Sequence, residues 1–278
     1  MDGHDPAALD RWRDQLGAWA IPEEILAAAP ESPWGFPVGL FRARARRAGE
    51  RPATPSDREA ARFLPPGGSV LDVGAGGGAA SLPLAGAAGK LVGVDESPGM
   101  VASFLAAAEA AAVPAEGVEG RWPEVADRVA AADVVVCHHV LYNVADLASF
   151  VDALTGHARR RVVAELTERH PLVGLGPLWR RFHGLDRPAG PTADDAVAAL
   201  GALGLRVARH DWEATDGLGF DDFDELVAFT RRRLCLPADR DPEVAEALLA
   251  AGTRQVDGVW VSGGPRRLTT LSWAGSAG

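Results

Sequence analysis

Short apolar runs of strand length alternate with helical segments from residue 69 to the end of the chain. Each run holds apolar residues continuously or at every second position, as in strands, and turn residues bound it. The runs are SVLDVG (69–74), KLVGVD (90–95), EGVEG (116–120), DVVVCHH (133–139), RRVVAEL (160–166), LRVARHDWEA (205–214) and RRLTTLSWA (266–274). Helices are predicted between them at 79–87, 98–112, 123–130, 147–159 and 192–203, the last capped by Thr192. Strands that alternate with helices predict a doubly wound α/β fold with a mostly parallel sheet.

The first part of the chain follows a different pattern, with short helices separated by proline turns. These helices are predicted at 5–19, 23–28, 38–48 and 56–64, with an aromatic loop, ESPWGFP, at 31–37. We therefore predict an N-terminal helical cap over residues 1–64 and an α/β domain over 65–278. The loop-rich stretch 167–190 and a helical insertion at about 221–252 are expected to build a substrate pocket.

A glycine-rich loop follows the first strand, in VLDVGAGGGAASLPLA at 70–85. Glycine permits sharp turns and a close approach of a ligand to the backbone, which predicts a nucleotide-like ligand above a helix N-terminus. Two motifs overlap here. Gly74, Gly76 and Ala79 fit the dinucleotide pattern G-x-G-x-x-G/A, whereas Asp72 and the glycines at 74, 76 and 78 fit D-x-G-x-G-x-G. The glycines alone leave the class of nucleoside cofactor open.

Two aspartates bear on which class of nucleoside cofactor the loop binds. Asp72 lies where a dinucleotide-binding strand normally carries an apolar residue, and a buried carboxylate needs a partner, which the ammonium group of a ligand would supply directly or through water. Asp95 ends the second strand about twenty residues beyond Gly74, where a carboxylate can accept both hydroxyls of a ribose. Asp95 thus predicts a nucleoside without identifying it.

The segments VLDVGAGGG, VGVDESPGM and ADVVVCHHVLYNVADLASFVDAL, within about 69–166, together resemble the class I S-adenosylmethionine-dependent methyltransferases. The resemblance implies a seven-stranded sheet with an antiparallel last strand, and S-adenosyl-L-methionine as cofactor with S-adenosyl-L-homocysteine as product. The loop would surround the methionine moiety and Asp95 would bind the ribose. The cofactor-binding residues that it implies are Asp72, Gly74, Ala75, Gly76, Gly78, Asp95, Glu96, Ser97, Met100, Arg121, Trp122, Cys137 and His138.

The sequence departs from this family after the third strand, where an acidic residue usually meets the adenine amino group. The segment EGRWPEV places Arg121 and Trp122 there instead. Two substitutes for the acid are open: Trp122 stacks on the adenine ring, or Glu124 accepts its hydrogen bond.

Polar residues end the fourth strand, at the carboxyl edge where doubly wound folds bind ligands. Cys137, His138 and His139 are followed by Tyr142 and Asn143. Methyl transfer requires alignment and exclusion of water, and a general base only for a hydroxyl or a protonated amine. A histidine suits that task, so the candidate catalytic residues are His138, His139 and Tyr142. If the strand continues, alternation directs only one histidine to the cofactor; a structural role for both is the alternative.

Side chains outside the sheet are candidates for the acceptor pocket, although each also fits simple packing. They are Trp34, Phe36, Asn143, Trp179 and His183. No metal site is expected, because the histidine pair with His170, His183 or Glu165 shows no compact ligand spacing.

Charge and composition restrict the partners. A net charge of −10 disfavours nucleic acid, although the run RARARR at 42–47 would be the place for RNA contacts. Two cysteines, no leader and no apolar run of about 20 residues favour a cytoplasmic enzyme without a membrane segment. We expect a methyltransferase acting on an O, N or C atom of a small molecule. The alternatives are an NAD(P)-dependent oxidoreductase, a non-catalytic S-adenosylmethionine-binding module and, less favoured, an RNA methyltransferase; the oligomeric state stays open.

Overall fold

A seven-stranded sheet forms the centre of the protein in a computed structural model, which describes residues 5, 7–34, 51–214, 219–256, 258–262 and 264–277. Its strands are β1 (Gly68–Val73), β2 (Ala88–Asp95), β3 (Ala115–Glu119), β4 (Ala132–His138), β5 (Ala158–Thr167), β6 (Ala208–Ala214) and β9 (Arg266–Ala274), while β7 (Arg254–Val256) and β8 (Val259–Val261) form a separate hairpin. The order across the sheet is β3-β2-β1-β4-β5-β9-β6. Strands β1 to β5 run parallel and β9 runs antiparallel to β5 and β6. The predicted doubly wound fold with an antiparallel last strand is confirmed.

Helices cover both faces of this sheet. They are α1 (Ala8–Gly17), α2 (Glu23–Ala28), α3 (Pro55–Phe63), α4 (Pro98–Ala110), α5 (Leu147–His157), α6 (Gly176–His183), α7 (Ala193–Ala202), α8 (Phe223–Arg233) and α9 (Asp241–Ala250). Thr192 caps α7 as predicted: its hydroxyl accepts from the N–H of Asp195, whose carboxylate accepts from the N–H of Thr192. Within the described ranges, no helix is long and apolar enough to cross a membrane.

Two predicted helices are wrong. The segment 79–87 holds only a 3₁₀ turn, Leu82–Leu84, and 123–130 holds only Ala126–Arg128. In the first, Pro83 has no N–H to donate and would interrupt a helix, and only one 3₁₀ turn forms before β2 begins at Ala88. In the second, Val129 is already extended and leads directly into β4. The helix predicted at 38–48 lies outside the described residues.

Buried apolar side chains form three clusters. One lies on the sheet face covered by α1, α5 and α7 and includes Trp12, whose indole donates to the carbonyl of Val144 at 2.8 Å. The second lies on the face covered by α3 and α4. The third joins α6, α8 and α9, and so brings both predicted insertions together. Helices α1 and α3 thus pack on the sheet itself, and the division into two units at residue 64 stays a prediction.

Candidate functional site

The loop after β1 turns through glycines in the left-handed region. Gly74, Gly76 and Gly78 have φ values of +73°, +52° and +89°, which side chains rarely allow. A Cβ on Gly74 would lie 2.4 Å from Cγ2 of Val140. The glycine therefore lets the loop after β4 pack directly against the loop after β1, and the two loops form one site.

The backbone N–H groups of this loop are used inside the chain. Those of Gly74 and Ala75 donate to the carbonyl of Val94 at 2.9 and 3.0 Å, and that of Gly76 donates to Oδ2 of Asp95 at 2.9 Å. A dinucleotide pyrophosphate is normally held by free N–H groups at a helix N-terminus. Because a 3₁₀ turn replaces the helix and these donors are occupied, the expectation of a helix N-terminus under the ligand is wrong. The geometry disfavours a dinucleotide.

Asp72 is a buried carboxylate at the head of the loop, with 1% of its surface exposed. The hydroxyl of Ser81 donates to Oδ2 at 2.6 Å, whereas Oδ1 has no hydrogen-bond partner among the described residues. Burial raises the pKa of Asp72 to about 6, against the hydrogen bond from Ser81 and the positive charge of His138. An unpartnered buried oxygen is costly, and a ligand ammonium group would satisfy it. The residue therefore fits the methionine end of S-adenosylmethionine.

Asp95 connects the loop to the start of α4. Its two carboxylate oxygens accept from the N–H groups of Gly76 and Ser97, both at 2.9 Å. Burial raises the pKa of Asp95, and these two hydrogen bonds oppose that effect. The hydroxyl of Ser97 caps α4 by accepting from the N–H of Met100. The residues predicted for the ribose and adenosine thus gather at the carboxyl end of β2, where their roles stay predictions.

After β3, where the resembled family usually has an acidic residue, Arg121 and Trp122 make contacts within the chain. Arg121 forms an exposed ion pair with Glu96 at 3.1 Å, and this pair was not foreseen from the sequence. Trp122 is buried, packs edge-on against His157 with ring centroids 4.9 Å apart, and its Nε1 has no hydrogen-bond partner among the described residues. Glu124 is exposed. Stacking of Trp122 on adenine stays a prediction, since the ring already packs in the core.

Polar side chains form a row across the carboxyl edge of the sheet, on one face. The strand register pairs His138 of β4 with Glu165 of β5, and Glu165 with Thr270 of β9. Asp72 lies on the same face because it pairs with Val136, two residues before His138. Nε2 of His138 is buried and has no hydrogen-bond partner within the described ranges. The row therefore extends from Asp72, the carboxylate predicted to bind the cofactor, to His138 and Glu165.

His139 leaves the strand in a conformation that is rare for a side chain, with φ of +61°. Strand β4 ends at His138, so the alternation of side chains stops there. Nε2 of His139 lies 3.1 Å from Oε1 of Glu165, and its backbone N–H donates to the Glu165 carbonyl at 2.6 Å. Nη2 of Arg266 lies 3.4 Å from the same Nε2. The prediction that only one histidine faces the cofactor assumed that β4 continues through His139. It does not, and both histidines lie beside Glu165.

The sequence suggested Glu165 only as a metal ligand, a role that its spacing disfavoured, whereas the structure places it beside both histidines. It is 6% exposed, and burial alone would raise its pKa. The positive charge of His138 and the hydrogen bonds from His139 and Ser56 outweigh burial and hold that pKa well below its usual range. The carboxylate is therefore ionised at neutral pH. One sequence signal was available: like Asp72, it is an acid within an apolar run of its strand, here Val162 to Leu166.

Cys137 and Tyr142 point into the core. Cys137 is fully buried, and burial together with the charge of Asp72 raises the pKa of its thiol. The ring of Tyr142 stacks on Trp12, with centroids 5.6 Å apart, and its hydroxyl donates to the carbonyl of Thr167 at 2.7 Å. Burial raises the pKa of Tyr142 as well. Both side chains behave as packing residues, so we give them no part in the chemistry below.

The candidate pocket residues are spread over different places. Trp34 and Asn143 are exposed. Trp179 and His183 lie in α6 with ring centroids 4.8 Å apart, and a ring nitrogen of His183 contacts the carbonyl of Leu234 at 2.7 Å. Both belong to the third cluster or pack beside it. Phe36 and the run at 42–47 lie outside the described residues, and contact with an acceptor stays a prediction for all of them.

The proteins that this chain resembles in sequence are methyltransferases. Residues 71–161 match the methyltransferase domain family. The ubiquinone biosynthesis O-methyltransferase of Azorhizobium caulinodans is 39% identical over 93 residues, which cover 33% of this chain and 37% of that protein. The enzyme of the same name from a Methylobacterium species is 40% identical over 87 residues, which cover 30% of this chain and 33% of that protein. The match thus spans about a third of each relative.

Solved structures share the fold over most of the chain. The YcgJ protein of Bacillus subtilis superposes with a TM-score of 0.51 at 16% identity, covering 86% of this chain and 99% of that one. A cyclopropane-fatty-acyl-phospholipid synthase-like protein of Lactobacillus casei has a TM-score of 0.50 at 17% identity, covering 95% and 99%. The oxidoreductase alternative finds no support in the family match or in the loop geometry. The matched domain, the strand order and the glycine loop agree with the resemblance to class I methyltransferases that the sequence suggested.

Proposed function

We propose that this protein methylates an oxygen atom of a small organic molecule. The observation that carries the proposal is Asp72, whose Oδ1 lies at the head of the glycine loop with no hydrogen-bond partner in the part of the chain that the structure describes. The names of the two O-methyltransferase relatives support oxygen as the acceptor atom. A hydroxyl acceptor also needs a base, and the histidines beside Glu165 are suited to that task.

We assign separate roles to residues that would bind the cofactor and to a residue that would take the acceptor's proton. When bound, S-adenosylmethionine supplies a methyl group on a sulfonium sulfur; the acceptor's lone pair forms the new bond, the carbon–sulfur pair stays with sulfur, and S-adenosylhomocysteine remains. Asp72 would bind the ammonium group, and Asp95, held by the N–H groups of Gly76 and Ser97, would accept from the ribose. His139 lies on the adjoining loop and would take the acceptor's proton.

Calorimetric titration with S-adenosylmethionine, S-adenosylhomocysteine and NADH tests the cofactor assignment. We expect micromolar binding of the first two and none of NADH, with at least a tenfold loss of affinity in Asp72→Asn. Asp133→Asn is the matched control, because Asp133 accepts from Ser69 at the opposite end of the same strand pair. Saturable binding of NADH, or unchanged affinity in Asp72→Asn, would contradict the proposal.

A screen of acceptors tests the chemical class. The protein is incubated with S-adenosylmethionine and a panel of phenols, catechols, carboxylic acids and amines, and S-adenosylhomocysteine is measured. We expect turnover with a hydroxyl compound. Turnover with amines alone would overturn the choice of oxygen, and tight binding without any turnover would favour the non-catalytic module. A cytoplasmic location and the exclusion of nucleic acid stay predictions.

A further inference from the structure

We propose that Arg187 binds a carboxylate group of the methyl acceptor, beside the indole rings of Trp19 and Trp179, so that the substrates are hydroxy acids. The inference rests on the proposed function, because it names the chemical class of the small-molecule acceptor. It assigns a task to a cation in the loop-rich stretch after β5, which the sequence predicted to build a substrate pocket.

The guanidinium of Arg187 lies against the rings of two buried tryptophans. Its Cζ atom is 5.3 Å from the ring centroid of Trp19 and 4.9 Å from that of Trp179. The two indoles are 6% and 3% exposed. Buried rings exclude water, so that a charge beside them interacts more strongly with an opposite charge than it would at an open surface. We call Trp19, Trp179 and Arg187 the indole clamp.

The charge of Arg187 has no acidic partner within the described ranges. The adjacent acid, Asp186, pairs instead with Arg180, whose Nε donates to its Oδ1 at 2.6 Å. Nε of Arg187 is buried and has no hydrogen-bond partner in the part of the chain that the structure describes. Burial lowers the pKa of Arg187, which means that its surroundings disfavour the positive charge. A carboxylate would supply the missing negative charge and can accept two parallel hydrogen bonds from a guanidinium.

Backbone contacts hold the guanidinium in place without neutralising it. Nη1 of Arg187 donates to the carbonyl of Ala20 at 3.1 Å, and Nη2 donates to the carbonyl of Trp19. The indole of Trp19 donates in turn to the carbonyl of Gly190 at 2.6 Å. Arg187 is nevertheless partly exposed, so a ligand can reach it. A side chain that is fixed before the ligand arrives loses less conformational entropy on binding.

The indole clamp lies beside the strand ends that carry the proposed base. The ring of His170 stacks on that of Trp19 with centroids 4.0 Å apart, and the ring of Tyr142 lies edge-on to His170 at 5.3 Å. Tyr142 follows the proposed base, His139, by three residues. The clamp therefore lies at the same edge of the sheet as His139, and the carboxylate of the acceptor would be remote from its reacting hydroxyl.

His170 adds no charge to this region. Its Nδ1 accepts a hydrogen bond from the N–H of Leu172 at 3.3 Å. Burial and the positive charge of Arg187 lower the pKa of His170 to about 4, so its ring is neutral at neutral pH. The charge that the clamp offers to an anion is that of Arg187, and substitution of this residue therefore tests the proposal.

The deciding experiment compares carboxylates with amides of the same shape. The full-length protein is titrated by calorimetry with benzoate, 2-naphthoate, benzamide and 2-naphthamide, with and without S-adenosylhomocysteine. We expect saturable binding of a carboxylate, about tenfold tighter than that of its amide, because only the carboxylate forms charged hydrogen bonds with Arg187. NMR of the indole N–H groups locates the site. The largest shifts should belong to Trp19 and Trp179, whose signals are assigned by their loss in Trp19→Phe and Trp179→Phe.

Arg187→Gln should abolish the preference, so that carboxylate and amide bind with affinities within about twofold of each other, whereas Arg187→Lys should keep part of it. Arg180→Gln is the matched control: it removes a positive charge from the same stretch, at an exposed side chain that pairs with Asp186, and should leave the preference unchanged.

Three outcomes would overturn the proposal. The first is equal affinity for carboxylate and amide in the unmodified protein, or no binding of either, which decides the matter even if Arg187→Gln fails to fold. The second is an equal loss of preference in Arg187→Gln and Arg180→Gln. The third is a set of shifts confined to other indoles. Failure of the unmodified protein to bind S-adenosylhomocysteine would instead refute the proposed function, so the two failures are distinguishable.

Discussion

Replacing Asp72 with asparagine is expected to stabilise the cofactor-free protein at neutral pH. Asp72 is buried, one of its oxygens has no partner among the described residues, and burial raises its pKa to about 6. In the unfolded chain an aspartate ionises near pH 3.9. A carboxyl whose pKa is raised by folding favours the folded state below its unfolded pKa, and this contribution is lost as the pH rises through the folded pKa.

The magnitude follows from the shift. About two pKa units at 1.36 kcal/mol each give a cost of about 3 kcal/mol for the ionised carboxylate at about pH 8. Asparagine has a similar volume and can keep the hydrogen bond with Ser81. We therefore expect the free energy of unfolding of Asp72→Asn to exceed that of the unmodified protein by about 1–3 kcal/mol at this pH. The difference should shrink as the pH falls below about 6 and should vanish well below about pH 4, where the carboxyl is protonated in both states.

Urea denaturation at a series of pH values measures this difference. Asp133→Asn is the control with the opposite sign, because the backbone and side-chain hydrogen bonds from Ser69 outweigh burial and lower the pKa of Asp133. Its loss of stability should be present at neutral pH and should shrink as the pH falls through the lowered pKa. If Asp72→Asn is less stable than the unmodified protein at about pH 8, or if the difference does not change with pH, the argument is refuted.

Three further predictions concern the cofactor and the base. The affinity for S-adenosylmethionine should fall as the pH drops below about 6, where Asp72 becomes protonated; a flat calorimetric profile would contradict this. Gly74→Ala should lose at least tenfold in cofactor affinity, because its Cβ would lie 2.4 Å from Val140 at a φ of +73°, whereas Gly86→Ala meets nothing within 4 Å and should bind normally. Glu165→Gln should lower kcat at least tenfold on a hydroxyl acceptor with KM for the cofactor unchanged, because the proposed base His139 would lose its ionised partner; an equal rise in KM would contradict this.

The elements that could be predicted are those whose sequence patterns lie within one short segment of the chain. The strands were readable because a fully covered parallel sheet requires continuous apolar runs, and Thr192 was readable as a cap because capping needs only residues three positions apart. The prediction of the cofactor class also rests on neighbours in sequence, since Asp72 and the glycines lie within one short segment. The helix predicted at 79–87 did not form, and the sequence already contained an argument against it in Pro83.

The contact between His139 and Glu165 was not predictable in the same way. His139 and Glu165 are far apart in sequence and meet only because β4 and β5 are paired in a particular register. Their contact also needs the turn at His139, which breaks the alternation that any reading of the strand assumes. The charge state of Glu165 depends on groups from β4 and α3 together, and whether the N–H groups of the glycine loop are free depends on β2. Such properties arise from packing between elements distant in the chain, and no periodicity along one segment encodes them.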